Sequence, residues 1–138
     1  MFMRKKLSLS LLLILACMAM ALCMACHNGR LSREERRVRK AAERCYANLA
    51  DGRAEKFVKR IAYVDSMSDD YRQEMIDLIS EHAYKLKQQH GDITSVKAVG
   101  QVVEDEQAQV FLQLCFSDST CEEVGVPMVK VKGKWYMQ

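Results

Sequence analysis

The chain has 138 residues and a formal net charge of +3, from 21 Lys and Arg against 18 Asp and Glu. That length is one domain. The excess charge sits in Arg4, Lys5 and Lys6, and from Cys26 onward basic and acidic residues balance at 18 each, so overall charge offers no argument for nucleic acid.

Leu7 to Ala25 follows the basic start without a single charge, which is the pattern of a secretory signal. Cys26 stands after Ala25 and before polar His27-Asn28-Gly29, as the lipid-bearing cysteine of a lipoprotein signal does. This reading divides the chain into a signal over 1–25, a tether over 26–32 and a domain over 33–138. Three alternatives stay open. Cys17 follows Ile14-Leu15-Ala16, an ordinary cleavage site follows Ala19-Met20-Ala21, and an uncleaved run of about twenty apolar residues nearly spans a hydrocarbon core of about 30 Å. In each case the positive cluster stays inside and the domain is exported. The expected location is the bacterial cell envelope, lipid-anchored, with the domain on a periplasmic or surface face.

Charge is unevenly spread along the rest. From Cys26 to Val64 there are 11 basic and 5 acidic residues, and from Asp65 to Gln138 there are 7 basic and 13 acidic. Arg30, Arg33, Arg36, Arg37, Arg39, Lys40 and Arg44 make up most of the basic part. They suit either the solvated face of a first helix or contact with anionic lipid headgroups beside an anchor.

Ser32 with Glu35 forms a capping box that starts a helix. Val38, Ala41, Ala42, Cys45, Tyr46 and Leu49 recur at three- and four-residue spacing as its apolar stripe, and Asp51-Gly52 stops it. A short second helix from about Ala54 turns Phe57, Val58, Ile61 and Ala62 inward. Ser66 or Ser68 caps a third, with Tyr71, Met75, Leu78, Ile79, His82, Ala83 and Leu86 as its stripe and Gly91-Asp92 as its end.

From Ile93 the period changes to two. Strands are expected at about Ile93–Val103, Gln107–Phe116, Glu122–Val131 and Lys134–Met137, with a tight hairpin at Lys132-Gly133. In the second, Ala108, Val110, Leu112, Leu114 and Phe116 share one face and Gln109, Phe111, Gln113 and Cys115 the other. Pro127 in the third marks an edge position or a bulge. Helices first and a meander afterwards predict an α+β fold, with the helices packed on a curved antiparallel four-stranded sheet.

Ala41-Ala-Glu-Arg-Cys-Tyr-Ala-Asn-Leu-Ala-Asp-Gly-Arg-Ala-Glu-Lys-Phe57, Ala108-Gln-Val-Phe-Leu112 and Met128-Val-Lys-Val-Lys-Gly-Lys-Trp-Tyr136 resemble small bacterial lipoproteins with the nuclear-transport-factor-2-like, or cystatin-like, cone fold. Many of these are grouped as a domain of unknown function related to lumazine-binding-like domains. The resemblance implies a sheet curled around the first helix with a pocket at the wide end of the cone. Its motifs are structural and speak for fold and location rather than activity.

Few residues suggest chemistry. Cys115 and Cys121 flank the Ser117 to Thr120 turn, where strand pairing would bring them within reach of a disulfide and a one-residue register shift would part them. Cys45 lies on the apolar stripe and reads as a small core residue. His27, His82 and His90 are scattered, with no His pair at i and i+4 and no Cys-x-x-Cys, so no metal is expected. No phosphate loop or nucleophile elbow is present, and no cofactor is expected. Tyr46, Phe57, His82 and Trp135 are the candidates for a pocket lining. His82 is otherwise a satisfied histidine at the edge of the core. Enzymes of the resembling fold use an Asp or His with a Tyr, for which Tyr46, Asp65 and His82 are the available set, although no spacing requires them to converge.

The leading expectation is therefore a non-catalytic envelope module that binds a small apolar or amphipathic ligand between the helices and the curled sheet. The alternative is a protein-interaction domain with a self-filled cone, which recruits an envelope protein or a second copy through Gln109, Phe111, Gln113 and Val129. An isomerase or hydrolase ranks third.

Overall fold

The structure is a computed structural model and describes residues 30–138. The segment read as a signal, with Cys17 and Cys26, and the tether through residue 29 lie outside the described residues. The compact unit that carries the core is Arg33–Gln138.

Helix α1 is Arg33–Ala50 and buries Val38, Ala42, Cys45 and Leu49, with Ala41 and Tyr46 packed at the margin of that stripe. Gly52, at φ +72°, ends it, and the Arg53 N–H donates to the Asn48 carbonyl at 2.8 Å. Helix α2, Ala54–Val58, buries Phe57 and Val58. A 3-10 turn over Val64–Ser66 leads to α3, Asp69–His90, where the Ser68 hydroxyl accepts the Tyr71 N–H at 3.2 Å as the N-cap.

Four strands follow: β1 Ile93–Glu104, β2 Gln107–Phe116, β3 Cys121–Val131 and β4 Lys134–Met137, antiparallel and in the order β1-β2-β3-β4. Val110, Leu112, Leu114 and Phe116 of β2 are buried on the inner face. Helix α1 lies across that face and touches all four strands. Its stripe closes on Ala98, Val110, Leu112, Val126, Met128, Trp135 and Met137 to form the core. The α+β architecture expected from the sequence is the one observed.

Helix α3 departs from expectation. Its apolar stripe predicts burial, yet none of its residues is fully buried. Ile79 and Ala83 touch the edge of the core, while Tyr71 is 52% and Leu78 60% exposed. The reason is that α1 already occupies the inner face of the sheet, which leaves α3 only α2 and the margin of α1 to lie on.

Both sheet edges are managed. In β1 the register slips between Ala98 and Gly100. Within that bulge the Ala98 N–H donates to Glu43 Oε1 at 3.0 Å, and the Arg39 guanidinium donates to the Ala98 carbonyl. Two α1 side chains thus take up backbone groups that an edge strand would offer to another chain. On the other edge Met137 exchanges hydrogen bonds with Arg60 and Ala62, Ala62 N–H to Met137 O at 2.7 Å and Met137 N–H to Arg60 O at 2.9 Å. Pro127 marks neither the edge nor the bulge expected: it lies in an internal strand opposite Gln109 with even register, and its carbonyl accepts the Gln138 N–H at 2.9 Å just past β4.

Gly91 closes α3 at φ +83°, and a methyl added there would run into Ser117 Oγ, whereas Gly52, at φ +72°, has open space around it. Gly91→Ala should therefore cost about 2–3 kcal/mol and Gly52→Ala about 1 kcal/mol in urea unfolding. Equal losses would show that the α3–turn junction contributes nothing beyond backbone strain.

Candidate functional site

The sequence candidates for a pocket lining do not enclose one. Phe57 and Trp135 belong to the filled core, and Tyr46 packs edge-on against Phe57 with ring centroids 5.4 Å apart. Burial raises the Tyr46 hydroxyl above its ordinary value and pushes the Cys45 thiol up to about 11. His82 is exposed on α3 and takes no part in the core. It therefore does not line the cone, because its helix is excluded from the sheet face. Asp65 lies in the 3-10 turn, apart from both Tyr46 and His82, and the three share no cleft among the described residues.

The polar end of Trp135 is used structurally. Its Nε1–H donates to Glu34 Oε2 at 3.1 Å, and Lys130 Nζ donates to the same oxygen at 3.1 Å. Lys130 also stands 6.0 Å from the Trp135 ring centroid, within cation–π range. The Lys130 and Trp135 hydrogen bonds hold the Glu34 carboxyl below its ordinary 4.5. The start of α1 is tied in this way to the β3–β4 hairpin.

The space that could receive a ligand lies elsewhere, in a cleft of about 870 Å³ between α2, the 3-10 turn, the first turns of α3 and the β3–β4 hairpin. Val58 and Val64 are buried in its floor, and Ile61, Ile76, Val131 and Tyr136 line it half-buried. Lys59, Arg72, Lys132 and Lys134 stand around it with Glu55, Asp65 and Asp69. Arg72 pairs with Asp69, and Lys59 with Glu55 at 3.6 Å, but no carboxylate among the described residues pairs with Lys132 or Lys134. Tyr63 projects at the mouth, 67% exposed, with its backbone left-handed at φ 61° and ψ 21°. A left-handed non-glycine residue costs about 1–2 kcal/mol and persists only where its surroundings hold it. Val58 and Ile61 were legible in the sequence as inward residues, although α2 stops at Val58 and Ile61 follows it; the cleft itself was not legible.

A second polar cluster pins the end of α3 to the β2–β3 turn. His90 Nδ1 is 3.0 Å from Asp118 Oδ2, and its Nε2 is 3.4 Å from Glu122 Oε1. Thr120 Oγ1 lies 3.2 Å from His90 Nδ1 and donates to Asp118 Oδ1 at 2.5 Å. The Thr120 hydrogen bonds, followed by His90, lower the Asp118 carboxyl below its ordinary value. Hydroxyl, imidazole and carboxylate meet here, but carboxylates flank both ring nitrogens and Thr120 donates to Asp118. The arrangement is a clasp rather than a base poised over a nucleophile. Beside it Cys115 and Cys121 are register partners joined by a disulfide, with Cα atoms 4.1 Å apart. Among the described residues no group of His, Cys, Asp and Glu is arranged to hold a metal ion.

No protein-family model matches the chain. No curated protein matches it either. Among solved structures it is similar to a protein from Campylobacter jejuni provisionally named an NTF2-like transpeptidase, at TM-score 0.61 and 17% identity, over 77% of this chain and 97% of that one. A SEC-C motif protein from Rhodopseudomonas palustris gives TM-score 0.42 and 14% identity, over 67% of this chain and 68% of that one, too distant to support any argument. The first likeness shows the fold: helices on an antiparallel sheet in the NTF2-like manner.

Because Glu34 is depressed in the folded chain, it contributes stability that is full above the unfolded value near 4.5 and is lost as pH falls through the lower folded value. Thermal melts from neutral to acid pH should show a steeper loss below that value for the parent chain than for Glu34→Gln. Parallel curves would mean that the Lys130 and Trp135 contacts contribute no net stability.

Proposed function

We propose that the domain is a non-catalytic binding module of the bacterial envelope, held to a membrane by a lipid on Cys26, and that it receives an amphipathic ligand in the cleft beside the β3–β4 hairpin. The observation that carries this reading is the union, in one opening of about 870 Å³, of an apolar floor, two unpaired lysines and a strained tyrosine. That volume lies within the range of small-molecule sites. The ligand's apolar body would rest on Val58, Val64, Ile76 and Tyr136, and an acidic head would meet Lys132 and Lys134. Tyr63 would close over it, which gives its backbone strain a purpose.

The provisional name of the Campylobacter jejuni neighbour raises transfer chemistry as another reading. Acyl transfer needs an accessible, activated nucleophile. In this chain the Cys45 thiol is buried and its ionisation suppressed, and Thr120 donates to Asp118 rather than to a free base. These observations favour binding over transfer.

A second reading is favoured by the filled core together with the outer sheet face. Val99 and Val102 are 48% and 54% exposed there, and Gln109, Phe111, Gln113 and Val129 share that face. An envelope protein or a second copy of the chain would be the partner.

Native mass spectrometry of residues 27–138, prepared from an oxidising compartment, tests both. A reproducible extra mass is expected, absent after Ile76→Trp fills the cleft and weakened by Tyr63→Gly at unchanged or higher melting temperature. A bare monomer would refute the cleft, and a bare dimer would move the site to the outer face. The denatured mass should be lighter than the reduced one by two hydrogen atoms, the signature of the Cys115–Cys121 bond.

A further inference from the structure

Helix α1 separates its charges by destination. Its three acidic residues before the final turn all point inward: Glu34 to Lys130 and Trp135, Glu35 to the Gln101 amide at 2.9 Å, and Glu43 to the Ala98 N–H at 3.0 Å. Arg39 is likewise used on the Ala98 carbonyl. The remaining basic residues, Arg33, Arg36, Arg37, Lys40 and Arg44, are all exposed. At 3.6 residues per turn they fall within an arc of about 100°, opposite the buried stripe. Among the described residues only Arg37 pairs with a carboxylate on that side, Glu34 Oε1 at 3.3 Å, and Glu34 is already shared with two other donors. From Asp65 onward the chain is acidic in balance, 13 against 7, but among the described residues none of those carboxylates pairs with the strip.

We infer that the outer face of α1 is a docking surface for an anionic phospholipid bilayer. Charge complementarity identifies the partner, since a narrow row of five cations and no aromatic side chain suits a planar array of phosphates better than a pocketed anion or stacked bases. The sequence before the helix agrees. A lipid on Cys26 would leave only residues 27–32 before Arg33, a reach of about 20 Å at full extension. A tether that short keeps the strip close to the headgroups, within a few screening lengths of about 8–10 Å. Anchor and strip would act together, the anchor holding the chain at the membrane and the strip orienting the domain on its anionic surface. No residue of α1 lines the cleft beside the β3–β4 hairpin, so membrane contact would leave that cleft open.

The inference does not depend on the cleft, and the experiment keeps the two apart. Every member of the core cluster lies between Val38 and Met137, so residues 27–138 carry the whole core without the anchor. That protein is floated with vesicles of phosphatidylcholine, with and without phosphatidylglycerol. Binding is expected only to the anionic vesicles and should disappear between about 0.1 and 1 M salt, where the screening length falls from about 10 to 3 Å. Replacing Arg33, Arg37, Lys40 and Arg44 by Gln should lower partitioning by about five-fold per side chain, at least about a hundred-fold in all. The control replaces Arg53, Lys56, Lys85 and Lys97, also exposed, by Gln and should change binding less than about five-fold. Arg33, Arg37 and Arg44 replaced by Lys should keep it, and this conservative variant with the salt series decides the matter if the Gln variant fails to fold. Equal losses in the two Gln variants, no preference for anionic vesicles, or tighter binding to soluble DNA or polyglutamate at equal charge concentration would each overturn the inference.

Discussion

The contact between the Val38–Ala42–Cys45–Leu49 stripe and the inner sheet face is the constraint from which the rest of the domain follows. A four-stranded meander with one apolar face cannot stand alone in water, and a single eighteen-residue helix laid across all four strands satisfies most of it. Burying a side chain of the size of Leu112 or Met128 contributes about 1.5–3 kcal/mol, and these lie at the centre of that contact. Once α1 holds the position, no comparable surface is left for a second long helix. The light packing of α3 is a consequence of geometry, not of a weak apolar pattern.

The same helix settles the polar problems its placement creates. Bringing α1 against the sheet carries Glu34, Glu35 and Glu43 toward a surface where unpaired carboxylates would be costly. Each finds a donor that also needs a partner: an indole N–H with a lysine, a glutamine amide, and the backbone N–H of a bulged edge strand. The edge is thereby closed to other chains, and the hairpin is fixed to the start of the helix. What remains on the outside is the unneutralised basic strip. Inner packing and outer charge are two results of one segregation along eighteen residues.

Much of this was legible in the sequence because periodicity reports which side of an element is apolar. The β2 strand runs from Gln107 to Phe116 as its alternation required, and Ser68 caps α3 as its position suggested. Strand boundaries moved by a single residue, at Glu104 and Cys121, as strand ends commonly do, while α2 stops at Val58, short of the Ile61 and Ala62 expected on it. Periodicity does not report which neighbour is vacant. Leu78 and His82 read as inward residues of α3, yet they face water because α1 had already filled the sheet. The His90 clasp was hidden for a related reason: its partners lie about thirty residues away and meet it only through the register that pairs Cys115 with Cys121. Pro127 pointed to an edge or a bulge, yet it lies in an internal strand of even register, partnered through its carbonyl by Gln138.

A filled cone changes where binding can take place in such a fold. Tyr46, Phe57 and Trp135 were sensible pocket residues if the sheet curled around an empty interior. Here their rings are spent on packing, and Trp135's one polar atom is spent on Glu34. Opening that interior would separate buried partners and cost several kcal/mol, more than a small ligand readily returns. The cleft beside the β3–β4 hairpin carries no such penalty, because its floor is already formed and its two lysines stand ready in solvent. Its stored cost is backbone strain at the left-handed Tyr63 and Lys132, which lie at the rim rather than in the core. In the proposed reading, strain placed where movement is cheap would be released on binding without disturbing the helix–sheet contact, so that the part of the molecule that must stay rigid is kept apart from the part that would adapt.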